Sequence, residues 1–237
     1  CQRVIDVILG ALGKALPALA YAGPMGTVTN LSIGGEDPER GLYVLYSFIG
    51  GGYGGNYLTD GLTNGNPTIA LARTQALEIF ESRYPILFNQ YAIRENSCGH
   101  GQRRGGFGVV LELVLRHGTA SASLLGDRGC FGPFGVFGGG EGLRSQHTFT
   151  LSGTSYTPEH ISKDEGVYMT AGDILRLETP GGGGFGSPIH RDMLMVAEDV
   201  KRGYYSKKIA RDTYAVVFNE LDEIDKDASM TFRAQQK

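Results

Sequence analysis

Apolar residues open the chain at helical spacing. Ile5, Ile8, Leu9, Leu12 and Leu16 share one face, and Pro17, which disfavours helix in the residue before it, closes the pattern. The period then shortens to two. GTVTNLSI and GLYVLYSFI are rich in β-branched and aromatic residues and bounded by glycine, so both read as strands. In the second, Leu42, Val44, Tyr46 and Phe48 alternate with Tyr43, Leu45, Ser47 and Ile49, which makes both faces apolar enough for partial burial. A turn-rich loop, GGGYGGNYLTDGLTNGNP, precedes a helix over TQALEIFESRY that Pro85 stops.

From there ILFNQYAIR, FGVVLELVLRHG, TASASLLGD, FGVFGG and QHTFTL read as strands alternating with glycine turns, and DILRLET runs straight into PGGGGFG. Asp192 caps a helix carrying Met193, Val196, Ala197 and Val200 and ended by Gly203; SKKIARDTY is a second short helix before the strand YAVVF. The pattern predicts an α+β fold with a β-rich sandwich or barrel-like core, a few peripheral helices and many glycine-rich turns. Residues 1–218 read as one unit, and 219–237, poor in core-forming side chains, as a flexible tail.

Composition narrows the function classes. The chain has 237 residues, enough to bury a sizeable core without disulfides or metal. A formal charge of −3 gives no basic excess to attract a polyanion, so nucleic acid is not expected as a partner. No apolar run approaches the ~20 residues that span a bilayer, and the opening lacks a signal-peptide pattern; a cytoplasmic protein is expected. Cys1, Cys98 and Cys130 are odd in number and lack CxxC spacing, which argues against a disulfide scaffold or zinc ribbon. Cys1 stands where an N-terminal nucleophile would, but no base is evident beside it, and the start inside a helical pattern reads as an interior position of a longer chain. The 37 glycines cluster as GGGYGG, GHGQRRGGFG, GPFGVFGGGEG and PGGGGFG, marking turns or places where backbone meets backbone or ligand.

SCGHGQRRGGFG, residues 97–108, is the most site-like segment. Glycines around His100, Arg103 and Arg104 would let amides converge on an anion while the guanidinium groups hold a phosphate or carboxylate. The competing reading pairs these arginines with acidic groups at a subunit interface, and both stay open. Asp60 is a polar contact at the mouth of the glycine loop or simply the Asp of an Asp-Gly turn. Asp127 and Arg128 read as an ion pair fixing a turn. Cys98 and His100 are near enough in sequence for a thiolate–imidazolium pair or for turn chemistry alone. PGGGGFG follows a strand but lacks the GK[ST] ending of a phosphate loop, and Pro188 separates it from the next helix, so close backbone packing is expected there. His100, His117, His147, His160 and His190 show no ligand spacing, so no metal site is expected within this chain. No catalytic residue is assignable.

Four segments in this order resemble the hydantoinase B/oxoprolinase family: GGGYGG…DG, RYPILFNQYAIRENSCGHGQRRGGFGV, GDRGCFGPFGVFGGGEG and GDILRLETPGGGGFGSPIHRD…VAEDVKRGYYS. The resemblance implies part of the B subunit of a hetero-oligomeric, ATP-dependent enzyme. Its partners would be an A subunit of the actin-like ATPase type, which binds Mg-ATP, and an N-terminal portion of the B subunit, where any divalent metal would sit. The reactions it implies phosphorylate an oxygen of a small-molecule substrate, either opening a cyclic amide such as hydantoin or 5-oxoproline or carboxylating acetone or acetophenone. Ring opening is the expected reaction, with ketone carboxylation or a structural shell subunit without chemistry of its own as the alternatives, and the chain alone is expected to hydrolyse no ATP.

Overall fold

The computed structural model describes residues 2–65 and 74–236; Cys1 lies outside them, and with it the reading of that residue. Helix α1 (Gln2–Ala15) leads through a single 3-10 turn at Pro17–Leu19 into β1 (Thr29–Asp37) and β2 (Gly41–Ile49). These two strands form a hairpin in register from Thr29↔Ile49 to Asp37↔Gly41. Asp37 closes it by accepting the Glu39 and Arg40 amides. After α2 (Leu77–Arg83) come β3 (Ile86–Ile93), β4 (Val109–Leu115) and β5 (Thr119–Leu125). Next are β6 (Gln146–Leu151), β7 (Thr154–Tyr156), β8 (Lys163–Thr170) and β9 (Ile174–Glu178). The chain finishes with α3 (Met193–Lys201), α4 (Lys207–Tyr214), β10 (Val217–Phe218), β11 (Ile224–Asp225) and α5 (Lys226–Gln235).

Among the described residues the strands pair antiparallel, in a four-stranded sheet ordered β2-β1-β5-β8, a five-stranded sheet ordered β3-β4-β9-β6-β7 and the two-stranded pair β10-β11. One apolar core joins the two larger sheets: Leu31, Ile33, Leu45 and Ile49 from the first sheet meet Leu113, Phe149, Leu175 and Leu177 from the second. Side chains of this size contribute about 1.5–3 kcal/mol each when fully buried. The fold is therefore α+β with a sandwich core, and the sheets do not close into a barrel. β4 and β9 are neighbours in the five-stranded sheet, and both run into glycine-rich segments at the same end, the first entered from Phe107–Gly108 and the second leaving through Thr179–Pro180.

Those segments build a third region that is neither helix nor sheet. Consecutive amides of Gly182, Gly183 and Gly184 donate to the carbonyls of Gly106, Gly23 and Gly140, on three different stretches of chain. The direction of donation thus turns in three steps, where a strand would alternate in two. Phe185 returns to the 97–108 segment through a reciprocal pair of bonds with Arg103, three residues after Gly182. Carbonyls of Pro180 and Gly183 likewise both accept from the 50–56 segment, from Gly52 and Gly55. PGGGGFG is the central rod of a bundle of extended segments, with no room for side chains. A Cβ on Gly181, Gly182, Gly183 or Gly184 would lie 1.8–2.0 Å from the carbonyl oxygen of Ser97, Tyr53, Phe134 or His100. The close backbone packing expected of this motif is what the structure has.

Several sequence expectations need correction. FGVFGG forms no strand: its Val136 makes an isolated bridge to Phe185 inside the bundle. KDEGVYMT forms β8 although Gly166 breaks the alternation that would mark it as a strand. Leu42, Val44 and Tyr46 on β2 are more than half exposed, while Leu45 and Ile49 are buried, so only one face of that strand is covered. Residues 219–236, expected as a flexible tail, instead contribute β11 and α5, whose Arg233 donates to the carbonyls of Tyr214 and Arg191.

Candidate functional site

The site-like segment 97–108 meets the loop carrying Asp60 and the region after the central rod. Arg191 follows the 3-10 turn Pro188–His190, and Asp199 lies on the inner face of α3, whose first turn is capped by Asp192 accepting from Leu194 N. Arg191 grips Asp60 bidentately, Nη1 to Oδ1 at 2.7 Å and Nη2 to Oδ2 at 2.8 Å, and its Nη2 also lies 2.7 Å from Asp199 Oδ2. Arg104 grips Asp199 in turn, Nε to Oδ2 at 3.1 Å and Nη2 to Oδ1 at 3.2 Å. The Tyr205 hydroxyl donates to Asp199 Oδ2 at 2.9 Å, and the Arg104 amide donates to Asp60 Oδ1 at 3.0 Å. Two cations thus face two anions in a closed, charge-balanced lattice, with Arg191 1% exposed.

Electrostatics agree with that closure. Burial pushes the Asp60 carboxyl up, but the Arg191 hydrogen bonds and charge, with Arg104 beside them, outweigh it and leave Asp60 below the ordinary carboxylate value. Burial acts to lower the Arg191 and Arg104 guanidinium values, yet their carboxylate partners raise both. The rings of Phe107 and Tyr204 lie 4.7 and 5.3 Å from the Arg104 guanidinium carbon and 4.8 Å from each other, so an aromatic pair packs against one side of it.

Asp60 and Arg104, both expected at a site, are therefore brought together, but each is held by charges within the chain. The acidic partner of Arg104 is intramolecular, not on another subunit. Nor do the neighbouring glycines offer an anion cradle. The amides of Gly99, Gly105, Gly106 and Gly108 donate to Gly182 O, Gly99 O, Tyr53 O and Ser97 Oγ. Arg103 differs from its neighbour: it is half-buried, its guanidinium donates one hydrogen bond, Nη1 to the Met195 sulfur at 3.8 Å, and it has no carboxylate partner among the described residues.

His100 Nδ1 lies 2.9 Å from the Tyr214 hydroxyl, its ring edge-on to Tyr205 and Tyr214. Burial, reinforced by the Arg191 charge, pulls its value down to about 4, so it is neutral near pH 7. Cys98 is buried and its thiol is pushed up to about 12, chiefly by burial. The thiolate–imidazolium pairing is not formed: His100 is bound to Tyr214 and the thiol stays protonated. Asp127 and Arg128 do not pair with each other. Asp127 accepts from Thr27 N at 3.1 Å, and Arg128 lies 3.7 Å from Asp6 of α1 while donating to Pro24 O and Gly132 O. Among the described residues no three His, Cys, Asp or Glu side chains converge as a metal site would require, and no helix is long and apolar enough to cross a membrane.

Arg191 and Asp199 went unassigned in the sequence. A signal for Asp199 exists: it falls three residues after Val196 on the apolar face of its helix, where a lone carboxylate implies a buried cation. Nothing comparable marks Arg191.

The sequence profile of the Hydantoinase B/oxoprolinase family matches residues 1–188. The chain is 34% identical over 94% of its length to an uncharacterized protein of Methanocaldococcus jannaschii, of which it spans 38%. To the B subunit of a D-/L-hydantoinase from a Pseudomonas species it is 29% identical, over 94% of this chain and 37% of that one. To 5-oxoprolinase 1 of Arabidopsis thaliana it is 35% identical, over 79% of this chain and 14% of that one. The fold recurs in an ATP-dependent caprolactamase from Pseudomonas jessenii, with a TM-score of 0.81 at 24% identity over 94% of this chain and 40% of that one. An acetone carboxylase structure shares it with a TM-score of 0.70 at 21% identity, over 90% and 33%. The chain thus spans well under half the length of these relatives. It belongs to the Hydantoinase B/oxoprolinase family.

Proposed function

We propose that this chain is a portion of the B subunit of an ATP-dependent, hetero-oligomeric enzyme that opens a cyclic amide of the hydantoin or 5-oxoproline type through a phosphorylated intermediate. The observation that carries the reading is family membership across residues 1–188, with relatives whose names specify cyclic amides. Resonance makes a ring amide a poor electrophile. Transferring the terminal phosphoryl group of ATP to its oxygen, with ADP released, makes the ring carbon electrophilic: water adds there, the C–N bond breaks with the ring nitrogen taking a proton and leaving, and a second water hydrolyses the resulting acyl phosphate to carboxylate and inorganic phosphate. ATP with Mg²⁺ is assigned to an A subunit of the actin-like ATPase type, and any divalent metal to polypeptide outside this chain.

In this reading the glycine bundle and the Asp60–Arg104–Arg191–Asp199 lattice form a rigid wall, since the bundle's amides and the lattice's charges are already matched internally, although the buried Arg191 Nε has no hydrogen-bond partner. Arg103 contributes the cation available to an anion. A guanidinium in a sheltered pocket stabilises a developing oxyanion or phosphoryl group far more than the same group in water does. Residues His100, Arg104 and Asp60 then act behind it, as positioning groups. The test is the assembled enzyme supplied with hydantoin, 5-oxoproline, acetone and acetophenone, each with ATP and divalent metal, with and without labelled bicarbonate. Turnover of a cyclic amide without bicarbonate is expected. Strict bicarbonate dependence with label retained in a β-keto acid would replace this reading with ketone carboxylation.

A further inference from the structure

Helix α1 is turned the wrong way for a helix that belongs only to this chain. Its fully buried positions, Asp6 and Gly13, are charged or small. Asp6 is buried 3.7 Å from Arg128 and within 3.4 Å of Arg3, Gly10 lies under the Phe134 ring, and Gly13 lies against Ala20. Most of its large aliphatic residues point away: Val4, Val7, Ile8, Leu12 and the following Leu16 are all at least half exposed, while Ile5 and Leu9 are partly buried. An amphipathic helix on a finished surface does the reverse, and a helix covered on both sides has apolar residues all round.

The exposed stripe does not end with the helix. A cleft of about 530 Å³ runs between Val7, Gly10 and Lys14 on α1 and the turn Phe134–Phe137. Phe137, 48% exposed, holds φ +52°, a conformation that bulky residues avoid, with its ring edge-on to Phe185. A strained aromatic held outward beside an aliphatic stripe costs stability in water unless something covers it.

We infer that this face, α1 with the Phe137 turn, is the seam against the further polypeptide that the relatives carry beyond the span of this chain. The first two relatives extend the chain to more than twice its length, so enough protein exists in each to cover the face. The seam rests on the proposal that the chain works within a longer B subunit.

The assembled enzyme carries the test, with cysteine placed singly by Leu12→Cys, Phe137→Cys and, as a reference on exposed β8, Glu165→Cys. Thiol labelling is read peptide by peptide, so that Cys98 and Cys130 do not confuse it. Positions 12 and 137 are expected to label at least tenfold more slowly than position 165, and a photo-crosslinker attached at position 12 is expected to capture a peptide from outside residues 1–237. Labelling within about twofold of position 165 overturns the seam, as does capture of a peptide from a second copy of this chain. Should a variant fail to assemble, slow amide exchange across the exposed side of α1 in the unaltered enzyme supports the seam, and fast exchange there overturns it. Turnover in the same preparation separates the two ideas. Active enzyme with fast labelling removes the seam alone, and protected enzyme inert toward every substrate removes the reaction alone.

Discussion

Truncating Arg104 to alanine leaves the buried Asp199 carboxylate with half its cationic support and uncovers the rings of Phe107 and Tyr204. Breaking one partner of a buried charge pair costs about 3–5 kcal/mol. Arg104→Ala should therefore lower the denaturant midpoint sharply, and Arg104→Lys should rescue only part of it, because an ammonium cannot reproduce the fork. Arg103→Ala has no such pair to break; its stability should change by less than about 1 kcal/mol while turnover of the assembled enzyme falls at least tenfold. Equal destabilisation by the two alanine variants would refute the division of labour. His147 offers a second measurement. It is fully buried, neither ring nitrogen makes a well-formed hydrogen bond, and burial outweighs a backbone interaction with Gln146 and lowers its value to about 4, against about 6.5 in an unfolded chain. The unfolded state therefore takes up the proton first. Stability is fully present above about pH 6.5 and drains away as pH falls toward 4. His147→Leu should flatten part of that slope and leave stability at pH 7 equal or about 1 kcal/mol higher. His100, also lowered to about 4, supplies the rest. An unchanged slope in the leucine variant would contradict the assignment. Asp60 acts in a lower window, since its depressed value keeps its contribution intact above about pH 4 and loses it only as pH falls further. From sequence, Asp60 and Arg104 could be singled out by their glycine neighbours, but not the identity of their partners, because contacts across 95 and 131 residues leave no local trace.

At the scale of elements, the glycine bundle is the feature whose chemistry is most tightly fixed. Gly182→Ala would place a methyl carbon 1.8 Å from the Tyr53 carbonyl oxygen, on a rod hydrogen-bonded on three sides. No rotamer relieves a clash between Cβ and backbone, so the loss should exceed about 3 kcal/mol. Gly34 on β1 is the control: an added Cβ meets nothing closer than 3.8 Å and its φ is ordinary, so Gly34→Ala should be neutral or stabilise by up to about 1 kcal/mol. Chemical denaturation of the two variants decides it, and comparable midpoints would mean that the rod tolerates displacement. Elements set by periodicity were legible in the sequence. The helices at Leu77 and Met193, the Asp192 cap and β2 stand within a few residues of their expected places. Elements set by glycine were not. FGVFGG has the composition of a strand, but its neighbours in space are other glycine segments, and a three-step pattern of donors cannot be told from a two-step one without knowing the partners.

For the whole molecule, the family profile stops at Pro188, yet the described structure places the other half of the charge lattice beyond it. Arg191, Asp199 and Tyr205 close over Asp60 and Arg104. Val196, Tyr205, Ala210, Tyr214 and Val216 form a second apolar cluster with Cys98 and Phe107 from the site-like segment. The C-terminal helices therefore complete the glycine bundle instead of trailing from it. A chain ended after Pro188 would leave Asp60 and Arg104 with only each other, 3.9 Å apart, in place of their bidentate partners Arg191 and Asp199, and bare Phe107 to water. Each of these defects alone amounts to several kcal/mol, against a typical total stability of about 5–15 kcal/mol. Cooperative unfolding should be lost. Ending after Phe218 removes only β11 and α5, and with them the Arg233 bonds to the Tyr214 and Arg191 carbonyls and the Ser229 bonds to Val217. That form should keep a single cooperative transition at a lower midpoint. Thermal unfolding followed by circular dichroism, with proteolysis probing the Ser97–Gly108 segment, separates the cases. Cleavage in that segment should appear in the 1–188 form and be absent from the 1–218 form. If the shorter form unfolds cooperatively and resists protease there, the helices after Pro188 are dispensable, and the lattice has no part in holding the bundle closed.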